Sequence, residues 1–366
     1  MINTSKKYKI IISGGGTGGH IYPAVAVAQA LQKKLPQVEL LFVGASDRME
    51  MEKVPKAGYP IIGLWISGFQ RSLSLKNLLF PVKVIYSVWK SLGIIKNFKP
   101  DAAIGFGGYA SGALLYAATV KKLPTIIHEQ NSYAGITNKI LKNRVDIICV
   151  AYDNMQRFFP ERKLIKTGNP IRQDLISISN LKQEAYAHFN LDPSKKTILV
   201  LGGSLGARTI NQCIEAGIPQ FENAGIQLLW QTGKNYVAKS QGSAVVSVPF
   251  IYDMNLAYAI ADVVISRAGA LTIAELATVQ KPVILVPSPH VAEDHQTKNA
   301  TALVEREAAI LIKDSAAKEQ LIEECLNLLK NEAKQVQLKN NIASFAIPDA
   351  ADRIVNEVMR LIEERQ

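Results

Sequence analysis

Residues 13–20, SGGGTGGH, set five glycines among six positions and end on a histidine. Backbone N–H groups at a strand-to-helix turn, together with the helix dipole, suit an anion, and glycine lets a ligand approach the main chain closely. Phosphate is the first chemistry this implies, and a tight turn with no ligand is the alternative. A neutral imidazole at a helix start accepts a proton near neutral pH, so His20 is a base candidate, or else a hydrogen-bond donor that orients a ligand. Gly14, Gly16 and Gly19 also satisfy the dinucleotide pattern. That pattern wants an acid closing the second strand, where the sequence has Val43-Gly44, with Glu39 at the strand's start and Asp47 in the next loop. No Lys-Ser or Lys-Thr follows the glycines, so the phosphate-loop signature is not met either.

The elements that must position these residues are legible as alternating apolar runs and helical stretches. KIIIS, VELLFVG, PIIGLWI, DAAIGFG, PTIIHEQ and DIICVA are followed by TILVLGG, IQLLWQTG, AVVSVPF, DVVISRAG, PVILVPSP and AAILI. Continuous apolar strands separated by helices predict parallel sheets covered on both faces. LVLGGSLGARTINQCI repeats the opening strand, glycine loop and helix, so the chain reads as two Rossmann-like halves joined near KTGNPIRQDL. The expected domains are residues 1–168 and 169–348, with a terminal helix at 349–366 packing back on the first. The expected site is the cleft between the halves.

A chain of 366 residues, 48% hydrophobic, is long enough for two domains with real cores. Cys149, Cys213 and Cys325 are far apart, which suggests neither a disulfide framework nor a metal cluster. MINTSKKYKIII makes a poor signal peptide, so a cytoplasmic location is the expectation. Residues 102–120 carry no charge and are long enough to span a bilayer, but an internal Gly-Gly and flanking prolines favour a strand, a turn and a buried helix. Residues 1–170 carry 23 Lys and Arg against 9 Asp and Glu, whereas the remainder carries 19 against 22. Only the first half is basic, which suits an anionic surface.

SGGGTGGHIYPA, IGFGGYASG, HEQNSYAG, TGNPIR, LGGSLGAR, SRAGALTIAEL and EDHQTKNA occur in the order expected for the MurG family. These are peripheral membrane glycosyltransferases that add N-acetylglucosamine to the lipid-linked muramyl peptide of peptidoglycan. The resemblance covers nearly the whole chain and implies an α/β GT-B fold, with acceptor mainly on the first domain, UDP-N-acetylglucosamine mainly on the second, and inversion at the anomeric carbon. It implies that Ser204 and Arg172 meet the donor phosphates, Ile251 holds uracil through its backbone, and Glu275 bridges the ribose hydroxyls. The alternative for Glu275 is an acid favoured by a helix dipole. Ala270, Leu271 and Thr272 would turn backbone amides to the donor, while Gln296 and Asn131 would read its sugar. Thr17, Gly18 and Gly19 match the family's loop at the donor, and Gly16, Gly107 and Gly108 would cradle the acceptor pyrophosphate. His128 and Glu129 either organise their loop or are simply polar residues at a strand end.

No Asp-x-Asp pair occurs, so no metal ligands are expected and no cofactor is implied; helix N-termini and hydroxyls would stabilise the leaving phosphates. Residues 64–99 mix aromatic and aliphatic side chains with six cations and no acid. Leu75, Lys76, Leu79, Phe80, Lys83, Trp89 and Lys90 there are expected to meet anionic lipid at the cytoplasmic face of the membrane. The expected partners are UDP-N-acetylglucosamine, the lipid-linked muramyl pentapeptide, that membrane surface and a cell-wall synthesis complex. Alternatives are a UDP-N-acetylglucosamine 2-epimerase, which shares fold and donor, and more remotely a nicotinamide oxidoreductase. A nucleic-acid partner is not expected, because no recognition motif is present.

Overall fold

The computed structural model describes residues 7–68, 79–203, 205–238 and 242–365. It divides into two compact units, residues 1–171 with 347–366, and residues 172–346.

The first unit carries β1 (Lys9–Ser13), β2 (Glu39–Ala45), β3 (Ile61–Leu64), β4 (Ala102–Gly105), β5 (Thr125–Glu129), β6 (Ile147–Val150) and β7 (Leu164–Lys166). They pair in parallel in the order β3-β2-β1-β4-β5-β6-β7. Sequence patterning missed β7, since two apolar residues between lysines, in a strand paired on one side only, carry little apolar signal. Ser13 pairs with both Val43 and Gly105, so β1 and β4 end level, β2 runs two residues farther, and their following loops emerge on one edge. Helix Gly18–Lys34 packs on helix Ala350–Glu364, whose Ile354, Val355, Val358 and Ile362 complete the core over Ile10, Ile12 and Ile104. Helix Gly18–Lys34 begins five residues before Pro23, where the apolar pattern alone would start it. Glycines and an internal proline hide that first turn from any propensity reading. The uncharged run 102–120 divides into β4 and helix Tyr109–Val120, and no described helix is long and apolar enough to cross a membrane.

The second unit carries β8 (Thr197–Leu201), β9 (Gln227–Gln231), β10 (Val245–Val248), β11 (Val263–Ser266), β12 (Val283–Leu285) and β13 (Ile310–Leu311). They pair in parallel in the order β10-β9-β8-β11-β12-β13. Along β8, Ile198 and Val200 enter one core while Leu199 and Leu201 enter the other. Burial on both faces explains the unbroken apolar runs. β8 stands where β1 stands in the first sheet, so each glycine loop follows the strand at which the strand order reverses. In open α/β sheets this is where ligands bind, beyond the carboxyl ends of the strands. The three cysteines are buried and unbridged.

Candidate functional site

In the first unit the loops after β1, β4 and β5 interlock. His20 lies in the first turn of helix Gly18–Lys34, and its Nδ1 lies 2.8 Å from the Gly15 carbonyl and 3.4 Å from Thr17 Oγ1. A carbonyl only accepts, so Nδ1 carries the proton and Nε2 carries the lone pair of the neutral ring. A Cβ added at Gly107, whose φ is +97°, would sit 3.0 Å from that Nε2, so the second glycine loop passes beside it. A Cβ at Gly108 would strike the Gly15 carbonyl at 2.7 Å. Thr17, Gly18, Gly19, His20, Gly107 and Gly108 thus gather at one sheet edge with Gly16. Several glycines answer to the protein itself rather than to a ligand, since a Cβ at Gly14 would meet the His20 carbonyl and one at Gly15 the Glu50 carboxylate.

Gln130 ties the loop after β5 to the same edge by donating to the Phe106 carbonyl at 2.9 Å. Glu129 organises that loop: Oε1 accepts from the Asn131 backbone and side chain, and Oε2 accepts from Gly135 N and Asn138 Nδ2. Asn131 is therefore held at the sheet edge by the residue two before it. His128 is wholly buried; its Nε2 donates to the Gly168 carbonyl at 2.8 Å and its Nδ1 accepts from Gln130. Burial pushes its pKa down to about 4 against the Gly168 hydrogen bond, with His20 adding a smaller push the same way.

This gives a stability prediction with a definite sign. The unfolded imidazole takes up its proton near its ordinary value of about 6.5, before the folded one does. Stability from neutral His128 is therefore full above that value and declines as pH falls from about 6.5 to 4, by up to about 3 kcal/mol. His128→Gln keeps a donor and an acceptor but does not titrate. Its melting temperature should fall less steeply across that window than that of the parent chain, and equal slopes would refute the attribution.

In the second unit, helix Ala270–Val279 starts at Gly269 with no side-chain cap and no acid in its first turn. The amides of Ala270, Leu271 and Thr272 are thus at an electropositive helix end whose N-cap residue offers no side chain. Helix Arg208–Asn223, after the loop that follows β8, starts in the same way. Glu275 lies one turn deeper, which removes the helix-dipole explanation for it. Its side chain is 17% exposed; Oε2 accepts from Tyr258 Oη at 3.1 Å, and Oε1 lies 3.7 Å from Arg172 Nε. Burial raises its pKa, while Arg172 and the Tyr258 hydrogen bond pull against that. Arg172 also reaches the Tyr252 carbonyl at 3.5 Å, so it links Glu275 to the turn holding Ile251. The Ile251 N–H donates to Gln231 Oε1 at 2.9 Å, so the carbonyl is the backbone group left to meet a base. Gln296 Oε1 accepts from Ser288 N at 2.9 Å, which fixes its amide. Ser204 lies outside the described residues.

Sequence reasoning missed the supports. Arg267 donates to the Val286 and Pro287 carbonyls and pairs with Asp314, which in turn accepts from Thr209. That cluster pins the ends of β11 and β12 to the start of helix Arg208–Asn223. A Cβ at Gly233 would lie 2.0 Å from Gly206 N, so the loops after β8 and β9 are in direct contact. Partners this far apart in sequence leave no local pattern.

On helix Phe80–Phe98 the expected membrane residues divide. Leu79, just before it, and Trp89 are exposed. Phe80 is half-buried against the ring of Tyr109. Lys83 and Lys90 are also half-buried and donate to Ser67 Oγ and the Gly63 carbonyl, so they serve the fold as well as any surface. Leu75 and Lys76 lie outside the described residues.

Two Rossmann-like units, each with a glycine loop at its switch point and a helix start without a side-chain cap, make a GT-B architecture, which glycosyltransferases and nucleotide-sugar epimerases share. The model of the glycosyltransferase family 28 N-terminal domain matches residues 10–150, and that of the family 28 C-terminal domain matches residues 197–354. A UDP-N-acetylglucosamine–N-acetylmuramyl-(pentapeptide) pyrophosphoryl-undecaprenol N-acetylglucosamine transferase from Cytophaga hutchinsonii is 58% identical over 98% of both chains. The transferase of that name from Bacteroides thetaiotaomicron is 52% identical over 98% of this chain and 99% of its own. The crystal structure of Acinetobacter baumannii MurG superposes with a TM-score of 0.77 at 28% identity, covering 97% of this chain and all of that one. A UDP-GlcNAc 2-epimerase from Neisseria meningitidis bound to UDP-GlcNAc has a TM-score of 0.68 over 97% of this chain and 100% of its own, at 15% identity. That likeness shows the fold alone. The chain belongs to the MurG family of glycosyltransferases.

Proposed function

We propose that this protein transfers N-acetylglucosamine from UDP-N-acetylglucosamine to the 4-hydroxyl of the muramyl sugar in undecaprenyl-pyrophosphoryl-muramyl pentapeptide, converting lipid I to lipid II with inversion. The observation that carries the reading is 58% identity to a transferase of that name along 98% of both chains. The 2-epimerase alternative has only the shared fold in its favour.

On this reading the first unit mainly takes the acceptor and the second mainly takes the donor. Nε2 of His20 removes the 4-hydroxyl proton as that oxygen forms its bond to the anomeric carbon. The bond from that carbon to the UDP oxygen breaks, and UDP leaves with the electron pair. Charge growing on the diphosphate is met by the electropositive start of helix Ala270–Val279, Arg172 and Ser204. Gly16, Gly107 and Gly108 offer main chain to the acceptor pyrophosphate, and Asn131 and Gln296 read the donor sugar. The protein works as a peripheral enzyme on the cytoplasmic face of the membrane, where the acceptor's polyprenyl tail remains in the bilayer. Purified protein given the lipid-linked muramyl peptide and labelled UDP-N-acetylglucosamine should move label into the lipid phase. Failure with authentic acceptor would favour the epimerase.

Glu275 gives a test of the donor half by itself. Its carboxylate is the acceptor for the ribose hydroxyls, and losing a charge-assisted hydrogen bond costs about 1.5–3 kcal/mol. Glu275→Ala should weaken UDP-N-acetylglucosamine binding by that amount in calorimetry, whereas unchanged affinity would remove Glu275 from the site.

A further inference from the structure

The peptide group joining Gly15 to Gly16 holds two hydrogen bonds, one at each end. Its carbonyl accepts from His20 Nδ1 at 2.8 Å, and its N–H donates to Glu50 Oε2 at 2.9 Å. Glu50 opens helix Glu50–Lys56, its side chain is wholly buried, and its Oε1 accepts from Ala45 N at 2.9 Å. We infer that Glu50 is a positioning residue for His20, whose carboxylate acts through the Gly15–Gly16 peptide to fix the ring's tautomer and to stabilise the imidazolium formed when the ring takes a proton. This rests on the reading of His20 as the base.

The surroundings are shaped around the carboxylate. A Cβ at Gly15 would lie 2.1 Å from Oε1, and one at Gly44 would lie 2.5 Å from Cγ. Packing alone would be satisfied by an apolar side chain of similar size, and burying a carboxylate is costly unless its oxygens are hydrogen-bonded. Here both oxygens take backbone N–H groups, so the buried carboxylate is satisfied where it meets the loop. An anion at the N–H end of a peptide raises electron density on its carbonyl oxygen. Hydrogen bonds linked in this way strengthen one another in a low-dielectric interior. The Gly15 carbonyl therefore becomes a better acceptor for Nδ1–H, and the ring a better base at Nε2. This is the arrangement of a base held by a third group, with a peptide interposed.

The first turns of helices Gly18–Lys34 and Tyr109–Val120 contain no acid, and the loop between β4 and the latter helix brings glycines to the ring. His128, from β5, stays neutral near pH 7 and so sets no charge against His20. Glu129, at the end of β5, spends both oxygens on its own loop.

The test is a double-mutant cycle joined to a titration of the His20 ring. Glu50→Gln should lower kcat for transfer roughly tenfold to a hundredfold, as loss of a partner behind a working histidine does. Its dissociation constant for UDP-N-acetylglucosamine should not change, and in a His20→Ala background the same substitution should have little further effect. Losses that add in full would overturn the proposal and leave Glu50 a structural residue. Separately, nitrogen-15 NMR of the substrate-free protein should show His20 titrating about one pH unit lower in Glu50→Gln, because a buried negative charge has gone. Glu50→Asp keeps the charge at shorter reach and should give a smaller shift, which supplies the test if Glu50→Gln does not fold. An unchanged His20 titration in whichever variant folds overturns the coupling. If the parent chain transfers no sugar, the proposed function fails while the NMR experiment still decides whether Glu50 acts on His20.

Discussion

His20→Ala should lower the turnover of sugar transfer by roughly 10²–10⁴-fold while leaving UDP-N-acetylglucosamine affinity as it was. The first half follows from the ring's geometry. With Nδ1 bound to the Gly15 carbonyl, Nε2 is the nitrogen that can take a proton, and it sits beside Gly107 at the carboxyl edge of the first sheet. Without it, the attacking hydroxyl must lose its proton to water. The second half follows from where most of the proposed donor residues lie, since Glu275, Arg172, Ile251 and Gln296 belong to the second unit, while the first-unit candidates Thr17, Gly18, Gly19 and Asn131 keep their own side chains and main chain. The measurement pairs label transferred to the lipid phase with donor calorimetry on the same preparation. Near-normal turnover at every pH would eliminate the base and leave His20 as a ligand-orienting donor. A parallel loss of donor affinity would instead show that the loop collapses without the ring.

Periodicity made the fold legible because a parallel sheet buried on both faces leaves unbroken apolar strands, as in β8 and β11. It failed at β7, where Leu164–Lys166 is short and basic, and at the start of helix Gly18–Lys34, where glycines and Pro23 mask the first turn. The glycine loops and His20 stand out in sequence because their composition is rare and local. The side chains that hold them do not. Glu50 lies in a run of acids and bases that reads as a solvated helix, and only tertiary structure turns its carboxylate under the glycine loop. Arg267 and Asp314 are separated by 47 residues, and Arg172 and Glu275 by more than a hundred, so no spacing rule could have joined them.

Helix Phe80–Phe98 carries the last expectation, because it shows large apolar side chains on its outward face as well as burying Ile94 and Ile95 on its inner one. Its buried side includes Ser87 and Ser91, whose hydroxyls bond to the Trp65 and Ser87 carbonyls. Its outward side shows Val82, Ile85, Tyr86 and Trp89, with Ile85 71% and Trp89 69% exposed. Trp65, Tyr86 and Trp89 make successive ring contacts there, at 5.9 and 6.1 Å. A helix in water buries its aliphatic and aromatic side chains, so these exposed ones suit an apolar neighbour that the described residues do not provide. A bilayer fits, because Lys96 and Lys99 are exposed farther along and because the first half of the chain is basic. Since Lys83 and Lys90 also serve the fold, the apolar residues make the cleaner test. Ile85→Ser with Trp89→Ser removes two large side chains whose partial burial in the headgroup region contributes on the order of 2–4 kcal/mol. Sedimentation with anionic phospholipid vesicles should therefore weaken by roughly 30- to 1,000-fold, with melting temperature and UDP-N-acetylglucosamine affinity unchanged. Transfer to a short-chain, water-soluble acceptor should survive, while transfer to acceptor embedded in vesicles should fall with binding. Equal sedimentation of the parent and the double variant would show that this face meets something other than lipid.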